Sequence, residues 1–136
     1  MVKTSLEYTG DLHCVATHGP SGVKIETDAP VDNQGRGEAF SPTDLVGAAL
    51  ASCMATIMGI CAARLNLDLA GMKIETTKEM TQVAPRRIAR LRTEIWLPIP
   101  SEADPSRALE KAARTCPVSY SIHPDIDAPV IFHYAT

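Results

Sequence analysis

Two cysteines are the residues of this chain best suited to chemistry. Cys53 lies in a long uncharged stretch, and Cys116 stands directly before Pro117 in the segment Arg-Thr-Cys-Pro-Val-Ser-Tyr-Ser-Ile-His-Pro. A thiolate is a strong nucleophile, and its sulfenic acid condenses with a second thiol to form a disulfide. One cysteine on a buried helix and another at a helix–proline junction form a redox pair if the fold brings their sulfurs together.

The other chemical candidates have simpler interpretations. Cys14 and Cys61 are interpreted as small hydrophobic packing residues, since unpaired cysteine is often buried. No Cys-x-x-Cys motif and no Cys/His pair at ligand spacing occurs in the sequence, so we expect neither a metal nor a cofactor. The His123-Pro-Asp125 sequence predicts a turn rather than a catalytic dyad.

Composition indicates an ordinary globular protein. The chain has 136 residues, a hydrophobic fraction of 45% and a net charge of −3. This length predicts a single domain over 1–136. The negative net charge does not indicate a protein that binds nucleic acid. The first residues, Met-Val-Lys-Thr-Ser-Leu-Glu-Tyr, lack the apolar core of a secretory signal, so we expect a cytoplasmic protein. Its four cysteines are expected to stay reduced unless catalysis oxidises them.

The pattern of hydrophobic and turn residues predicts an α+β domain with the order β-β-β-α-β-β-α-β. Asp104 is expected to cap the second helix, with Pro105 at its first position and an ion pair between Glu110 and Arg114 on its surface. The predicted strands cover residues 6–9, 12–17, 23–28, 72–80, 87–97 and 130–134.

The first helix has the clearest start in the chain. Ser41 can cap it, Pro42 suits its first position, and Asp44 follows three residues after the cap. The stretch 45–63 contains no charge and reaches transmembrane length, but it is rich in Ala, Gly, Ser and Thr and is flanked by strand-forming sequence. We therefore interpret it as a helix buried on all sides, which a second subunit helps to cover, and expect no membrane insertion.

Two segments resemble the motifs of one family. Residues 41–54, Ser-Pro-Thr-Asp-Leu-Val-Gly-Ala-Ala-Leu-Ala-Ser-Cys-Met, are similar to the central-helix motif of the OsmC/Ohr family of osmotically inducible and organic-hydroperoxide-resistance proteins. Residues 115–125, Thr-Cys-Pro-Val-Ser-Tyr-Ser-Ile-His-Pro-Asp, resemble its second cysteine motif. The spacing of the motifs and the strands around them also fit, so the resemblance covers nearly the whole chain.

The resemblance implies an OsmC-like fold in an intertwined homodimer with buried central helices. It also implies that Cys53 attacks a hydroperoxide and that Cys116 resolves the product, with a dithiol reductant, such as a lipoyl-bearing protein, restoring both thiols. An apolar wall of Leu50, Met54, Ile57 and Met58 would favour organic hydroperoxides over hydrogen peroxide.

The sequence departs from the family's peroxidases at the residues that hold the thiolate. Those proteins use an arginine from the N-terminal strands and a glutamate just after the proline, whereas Thr43 follows Pro42 here and residues 8–14 contain no arginine. Arg36 and Glu38 are the candidates to replace them, and two solvated loop charges are the alternative. The chain therefore looks closer to the OsmC-like branch, and a non-catalytic dimer that binds a small hydrophobic ligand is the rival hypothesis.

Overall fold

The computed structural model describes residues 1–136, which form two compact units, Met1–Val46 and Gly47–Thr136. The structure is α+β, as predicted, with two three-stranded sheets. Two 3-10 turns, Val31–Asn33 and Ser101–Ala103, add to the predicted order, and the Cys116-Pro117 sequence, which can open a short helix through Ile122, does open one at Pro117–Ser121. The elements are β1 (Thr4–Gly10), β2 (His13–His18), β3 (Lys24–Asp28), α1 (Pro42–Arg64), β4 (Lys73–Met80), β5 (Ile88–Pro100), α2 (Ala108–Arg114), α3 (Pro117–Ser121) and β6 (Val130–Ala135).

The first unit contains an antiparallel sheet with the order β1-β2-β3. Leu6, Ala16 and Ile25 lie opposite one another across the three strands, so they share one face. Tyr8 follows Leu6 by two positions and lies on the same face. This face is apolar, yet Leu6 is 63% exposed and Tyr8 is 60% exposed in the single chain.

The second unit contains the sheet β4-β5-β6, in which β5 is antiparallel to β4 and parallel to β6. The inward side chains of β5, Leu91, Thr93 and Ile95, are fully buried. Arg90, Arg92 and Glu94 alternate with them on the outer face. On that outer face the ring of Trp96 stacks on His133, with 5.0 Å between the ring centroids.

The start of α1 is the predicted capping box. The backbone N–H of Asp44 donates to Ser41 Oγ at 3.0 Å, and the Asp44 carboxylate accepts from the backbone N–H of Ser41 at 2.9 Å. Two donors that the first helical turn would leave without partners are thereby satisfied. Asp44 thus has the local role that its position after Ser41 predicted.

The body of α1 is buried along one side only. Gly47, Leu50, Met54, Met58 and Ala62 recur every three or four residues and form one buried stripe. Near Gly47 the stripe meets side-chain methyls of the sheet: Thr76 Cγ2 and Leu91 Cδ2 lie 3.5 and 3.6 Å from where a Cβ of that glycine would be.

The opposite side of α1 is apolar but exposed, and Ile60 is 49% accessible there. In the single chain the sheet covers only one side of the helix, and the expectation that a second subunit covers the rest stays a prediction. By length and composition α1 could cross a membrane, with a mean hydropathy of 2.0 and 28% of the stretch buried. Core helices of soluble proteins meet the same two criteria, so this finding is weak evidence for a membrane span.

The second helix starts later than predicted. Asp104 does cap it, accepting from the backbone N–H groups of Ala108 and Leu109 at 2.9 and 3.0 Å, but the helix begins at Ala108 rather than at Pro105. Arg107 precedes the first helical residue in a left-handed conformation, with φ 56°, which places residues 105–107 in a turn. The Asp104 carboxylate therefore spans that turn to reach the first N–H groups of the helix.

The expected pair between Glu110 and Arg114 does not form. Glu110 instead accepts a hydrogen bond from the Tyr134 hydroxyl at 2.9 Å and lies 3.8 Å from Arg107 Nε. Arg114 stacks over the ring of Phe132 and reaches the backbone oxygen of Val130 at 3.5 Å. Contacts with β6 thus replace the weak pair that the helical spacing alone predicted.

Candidate functional site

The structure brings Cys53 and Cys116 together inside the second unit. Cys53 lies on α1, one residue before Met54 of the buried stripe, and is partly buried. The thiol of Cys116 lies close enough to the thiol of Cys53 to raise its pKa. The structure therefore places the two residues that the sequence singled out near one another.

Local backbone geometry sets the position of Cys116. The second helix ends at Arg114, and Pro117 opens α3 as its first residue. The residue before a proline is pushed out of helical conformation, and Cys116 is accordingly extended, with φ −71° and ψ 151°. The break between the two helices is thus built from the Cys-Pro sequence, and it leaves the Cys116 side chain fully buried.

The surroundings raise the pKa of the Cys53 thiol. Burial is the largest cause, because it disfavours the charged thiolate, and the neighbouring Cys116 thiol raises the pKa further. The backbone N–H of Val118, in the first turn of α3, opposes both and lowers the pKa. Within this unit the balance keeps Cys53 predominantly a thiol at neutral pH.

A cavity of about 240 Å³ lies in the same unit, between α1, α2, α3 and β6. Ser119 contributes to its wall, and its hydroxyl oxygen lies 3.0 Å from Cys116 Sγ. Of the expected apolar wall, Met54 lines this cavity, whereas Leu50 and Met58 are fully buried in the core stripe. The cavity is lined by Met54, Arg114, Ser119, Ile122, Ala128 and Val130.

Arg36 and Glu38 belong to the first unit. Arg36 Nη2 lies 3.4 Å from Asp11 Oδ2, and both side chains are mainly exposed. The pKa of the Asp28 carboxyl is lowered mainly by its hydrogen bond with His13, and the backbone N–H of Glu38 lowers it further. These contacts give each residue a local role in its loop, and their action on Cys53 stays a prediction.

Sequence reasoning missed two residues that contact the cysteines, Val118 and Ser119. Their position in the sequence could have identified them, because they follow Cys116 by two and three residues in a helix that begins with proline. The expected turn at His123 is present, since the backbone N–H of Asp125 donates to His123 Nδ1 at 3.1 Å. No group of three or more His, Cys, Asp or Glu side chains that could hold a metal ion occurs in the structure.

The raised pKa of Cys53 predicts a pH dependence. The rate of Cys53 alkylation should be low at neutral pH and rise by about tenfold per pH unit toward alkaline pH, because only the thiolate reacts. Mass spectrometry of the Cys53 peptide after timed iodoacetamide exposure measures this rate separately from that of Cys61 on the same helix. A rate that is already at its maximum near neutral pH would show instead that a cation ionises Cys53.

Comparison with known proteins identifies the family. The model of the OsmC-like protein family matches residues 35–129. No curated protein matches the chain. A solved structure from Psychrobacter arcticus, of a candidate osmotic stress induced and detoxification response protein, shares 46% identity and has a TM-score of 0.90, with coverage of 98% of this chain and 96% of that one.

More distant solved structures share the fold. The organic hydroperoxide resistance protein OsmC of Legionella pneumophila is 14% identical, with a TM-score of 0.78 and coverage of 98% of this chain and 96% of its own. The organic hydroperoxide resistance protein OhrB of Bacillus subtilis is also 14% identical, with a TM-score of 0.70 and coverage of 97% of each chain. The matched residues include both Cys53 and Cys116, and the chain belongs to the OsmC-like protein family.

Proposed function

We propose that this protein is a thiol-dependent redox protein that reduces organic hydroperoxides through Cys53 and Cys116. The single observation that carries the proposal is the proximity of the two thiols, with Cys53 partly buried and Cys116 fully buried, so that Cys116 influences the pKa of Cys53. Family membership adds to it, since relatives with this fold are organic hydroperoxide resistance proteins.

The proposed reaction has three steps. The Cys53 thiolate attacks the terminal peroxide oxygen, the O–O bond breaks, and the organic fragment leaves as an alcohol after taking up a proton, so that Cys53 becomes a sulfenic acid. The Cys116 sulfur then attacks the Cys53 sulfur, which releases water and forms a disulfide. An external dithiol, such as a dihydrolipoyl group, reduces that disulfide by exchange.

The first step requires ionisation of Cys53, which its surroundings in the second unit oppose. In this proposal the guanidinium of Arg36 is the cation that stabilises the Cys53 thiolate, and Glu38 forms an ion pair with Arg36. The two residues would replace the arginine and glutamate of the family's peroxidases. The 3.4 Å separation from the exposed Asp11 carboxylate makes the Arg36 pair weak, so its guanidinium can exchange partners at little cost.

The proposed substrate class rests on the cavity that is lined by Met54, the residue after Cys53, and by Ser119, which contacts Cys116. Most of its lining side chains are apolar, including Met54, Ile122 and Val130, so it favours the carbon portion of an organic hydroperoxide over the small polar hydrogen peroxide. Contact with apolar walls removes hydrocarbon surface from water, and each buried methylene contributes about 0.8 kcal/mol.

The homodimer is part of the proposal. The apolar face of the first sheet, represented by Leu6 and Tyr8, and the exposed side of α1, represented by Ile60, are both uncovered in the single chain. Exposed apolar surfaces of this kind mark interfaces between subunits. A second copy of the chain would cover each of them.

Replacement of Cys116 by serine tests the proposed chemistry directly. Cys116→Ser should still be oxidised by cumene hydroperoxide, but the Cys53 sulfenic acid should persist because no second thiol resolves it. Mass spectrometry after trapping with a cyclic 1,3-diketone detects the adduct on the Cys53 peptide. Cys61→Ala, which changes the same helix and leaves the pair intact, should give a disulfide and little adduct.

The pKa of Cys53 favours a second candidate function. A thiol held mainly protonated beside an apolar cavity fits a non-catalytic module that binds a small hydrophobic ligand. An apolar fluorescent probe displaced equally well by an alcohol and by the matching hydroperoxide, with no Cys53 adduct in Cys116→Ser, would support this binding module and contradict the peroxidase.

A further inference from the structure

The buried thiol of Cys116 has two polar side-chain neighbours, the thiol of Cys53 and the hydroxyl of Ser119. Its exposed fraction is zero, so bulk water does not reach the sulfur. The Ser119 oxygen lies 3.0 Å from this sulfur, within the distance of a hydrogen bond that involves sulfur. This contact has no part in the reaction described so far.

Resolution of a sulfenic acid places a specific demand on Cys116. The thiol must lose its proton as its sulfur attacks the sulfur of Cys53, and the departing hydroxyl must gain a proton to leave as water. A buried thiol without a polar contact would develop negative charge in an apolar environment, which is unfavourable. A hydroxyl group can both accept the proton of a thiol and donate to a thiolate.

Ser119 is placed for this role by its helix and by the cavity. It follows Cys116 by three residues, so it lies on the same side of the first turn of α3. The same residue also lines the 240 Å³ cavity. It therefore connects the buried sulfur with a space that the substrate and water can enter.

A purely local role for the Ser119 hydroxyl is the simpler alternative. Serine hydroxyls in helices commonly donate to a backbone carbonyl four residues earlier. Ser121, on the same short helix, does so, with its hydroxyl 2.8 Å from the carbonyl oxygen of Pro117. The Ser119 hydroxyl instead contacts the sulfur, which makes Ser121 the natural internal control.

We propose that Ser119 is the positioning residue of Cys116, holding its sulfur toward Cys53 and relaying its proton to the hydroxyl that leaves Cys53. This inference rests on the proposed function, since it concerns the resolution step. In that step the Cys116 S–H bond and the Cys53 S–O bond break, the S–S bond forms, and the proton joins the departing hydroxyl through the Ser119 oxygen to give water.

An aromatic disulfide tests Ser119 without any peroxide. Dithiobis-nitrobenzoate reacts with Cys53 and releases one coloured thiolate, and attack by Cys116 on the resulting mixed disulfide releases a second. The second phase therefore reports the reactivity of Cys116 alone. The experiment uses chains in which Cys14 and Cys61 are replaced by alanine, so that only the pair contributes.

Ser119→Ala should slow the second phase by about tenfold or more, because a hydrogen bond to a charged group is lost. The first phase should keep the wild-type rate. Ser121→Ala should leave both phases unchanged. An unaltered second phase in Ser119→Ala would overturn the proposal.

A second pair of variants separates the hydroxyl from the packing at this position. Thr and Val have nearly the same shape, so Ser119→Thr should keep a fast second phase and Ser119→Val should lose it. This pair also decides the question if Ser119→Ala fails to fold. Equal rates in Ser119→Thr and Ser119→Val would show that shape alone matters and would also overturn the proposal.

A parallel experiment with a hydroperoxide distinguishes failure of this inference from failure of the proposed function. With cumene hydroperoxide, Ser119→Val should accumulate the Cys53 sulfenic acid, whereas Ser119→Thr should form the disulfide. If the wild-type protein formed no disulfide with cumene hydroperoxide and Cys116→Ser formed no Cys53 sulfenic acid, the peroxidase would be lost, and the second phase with the aromatic disulfide would still decide whether Ser119 acts on Cys116.

Discussion

Replacement of Cys53 by serine should abolish the consumption of organic hydroperoxide. A serine hydroxyl is not ionised near neutral pH and does not attack the O–O bond, so the expected loss is complete rather than partial. The measurement is the disappearance of cumene hydroperoxide in the presence of a dithiol such as dihydrolipoamide. The rate of hydroperoxide consumption, measured at several pH values, would show whether the wild-type rate follows the thiolate fraction of Cys53. Burial raises the pKa of this thiol, so the rate should increase toward alkaline pH.

Cys61 supplies a matched control for this variant. It lies on α1 as well, is partly buried like Cys53, and has no assigned chemistry. Cys61→Ser should therefore retain the wild-type rate. If Cys53→Ser consumed hydroperoxide as fast as the wild-type protein, the assignment of the nucleophile would be wrong, whatever the behaviour of Cys116.

Placing a charge at Ile60 should convert the proposed dimer into monomers. Ile60 is 49% exposed in the single chain, on the apolar side of α1 that the sheet leaves uncovered. A glutamate there would be buried without a partner in any interface that uses this side, which costs several kcal/mol, so the dissociation constant should rise by about a hundredfold or more. Analytical ultracentrifugation over a range of concentrations measures the shift.

Thr77→Glu is the control for that variant. Thr77 lies on β4, is exposed, and faces the outer side of its sheet, opposite Arg92. A glutamate at this position adds the same charge on a surface that is already polar, and it should leave the association state unchanged. Identical masses for Ile60→Glu and the wild-type protein would mean that this side of α1 is not the interface.

Local signals in the sequence predicted the elements that depend on local interactions. The start of α1 was predictable because Ser41 and Asp44 satisfy each other's backbone donors within a single turn. The faces of β5 were predictable because Leu91, Thr93 and Ile95 alternate with charged residues. In both cases the responsible contacts lie within a few residues or repeat with the period of the element.

Tertiary contacts explain what the sequence did not predict. The late start of α2 depends on the left-handed conformation of Arg107, which no propensity required. Glu110 pairs with Tyr134 on a strand that is distant in sequence, and this contact replaces the helical pair with Arg114. The state of Cys53 likewise depends on burial and on the backbone of Val118, which become known only once α1 and α3 are packed.

The candidate site was predictable in its residues but incomplete in its surroundings. Both cysteines were identified from their sequence context, and the structure places Cys116 close enough to Cys53 to raise its pKa. Ser119 was not identified, because a serine after a Cys-Pro sequence has many local uses and only the 3.0 Å contact with sulfur distinguishes it.

The parallel pairing of β5 with β6 has a consequence for when the two thiols can meet during folding. Parallel neighbours cannot be joined by a tight turn, so the chain must travel back along the sheet, and Cys116 lies on that return path. Contacts between strands far apart in sequence form late, because the entropy of closing the intervening segment opposes them. Until β6 joins its neighbour, the two sulfurs belong to independent parts of a flexible chain, and redox competence would arrive only with completion of the native topology.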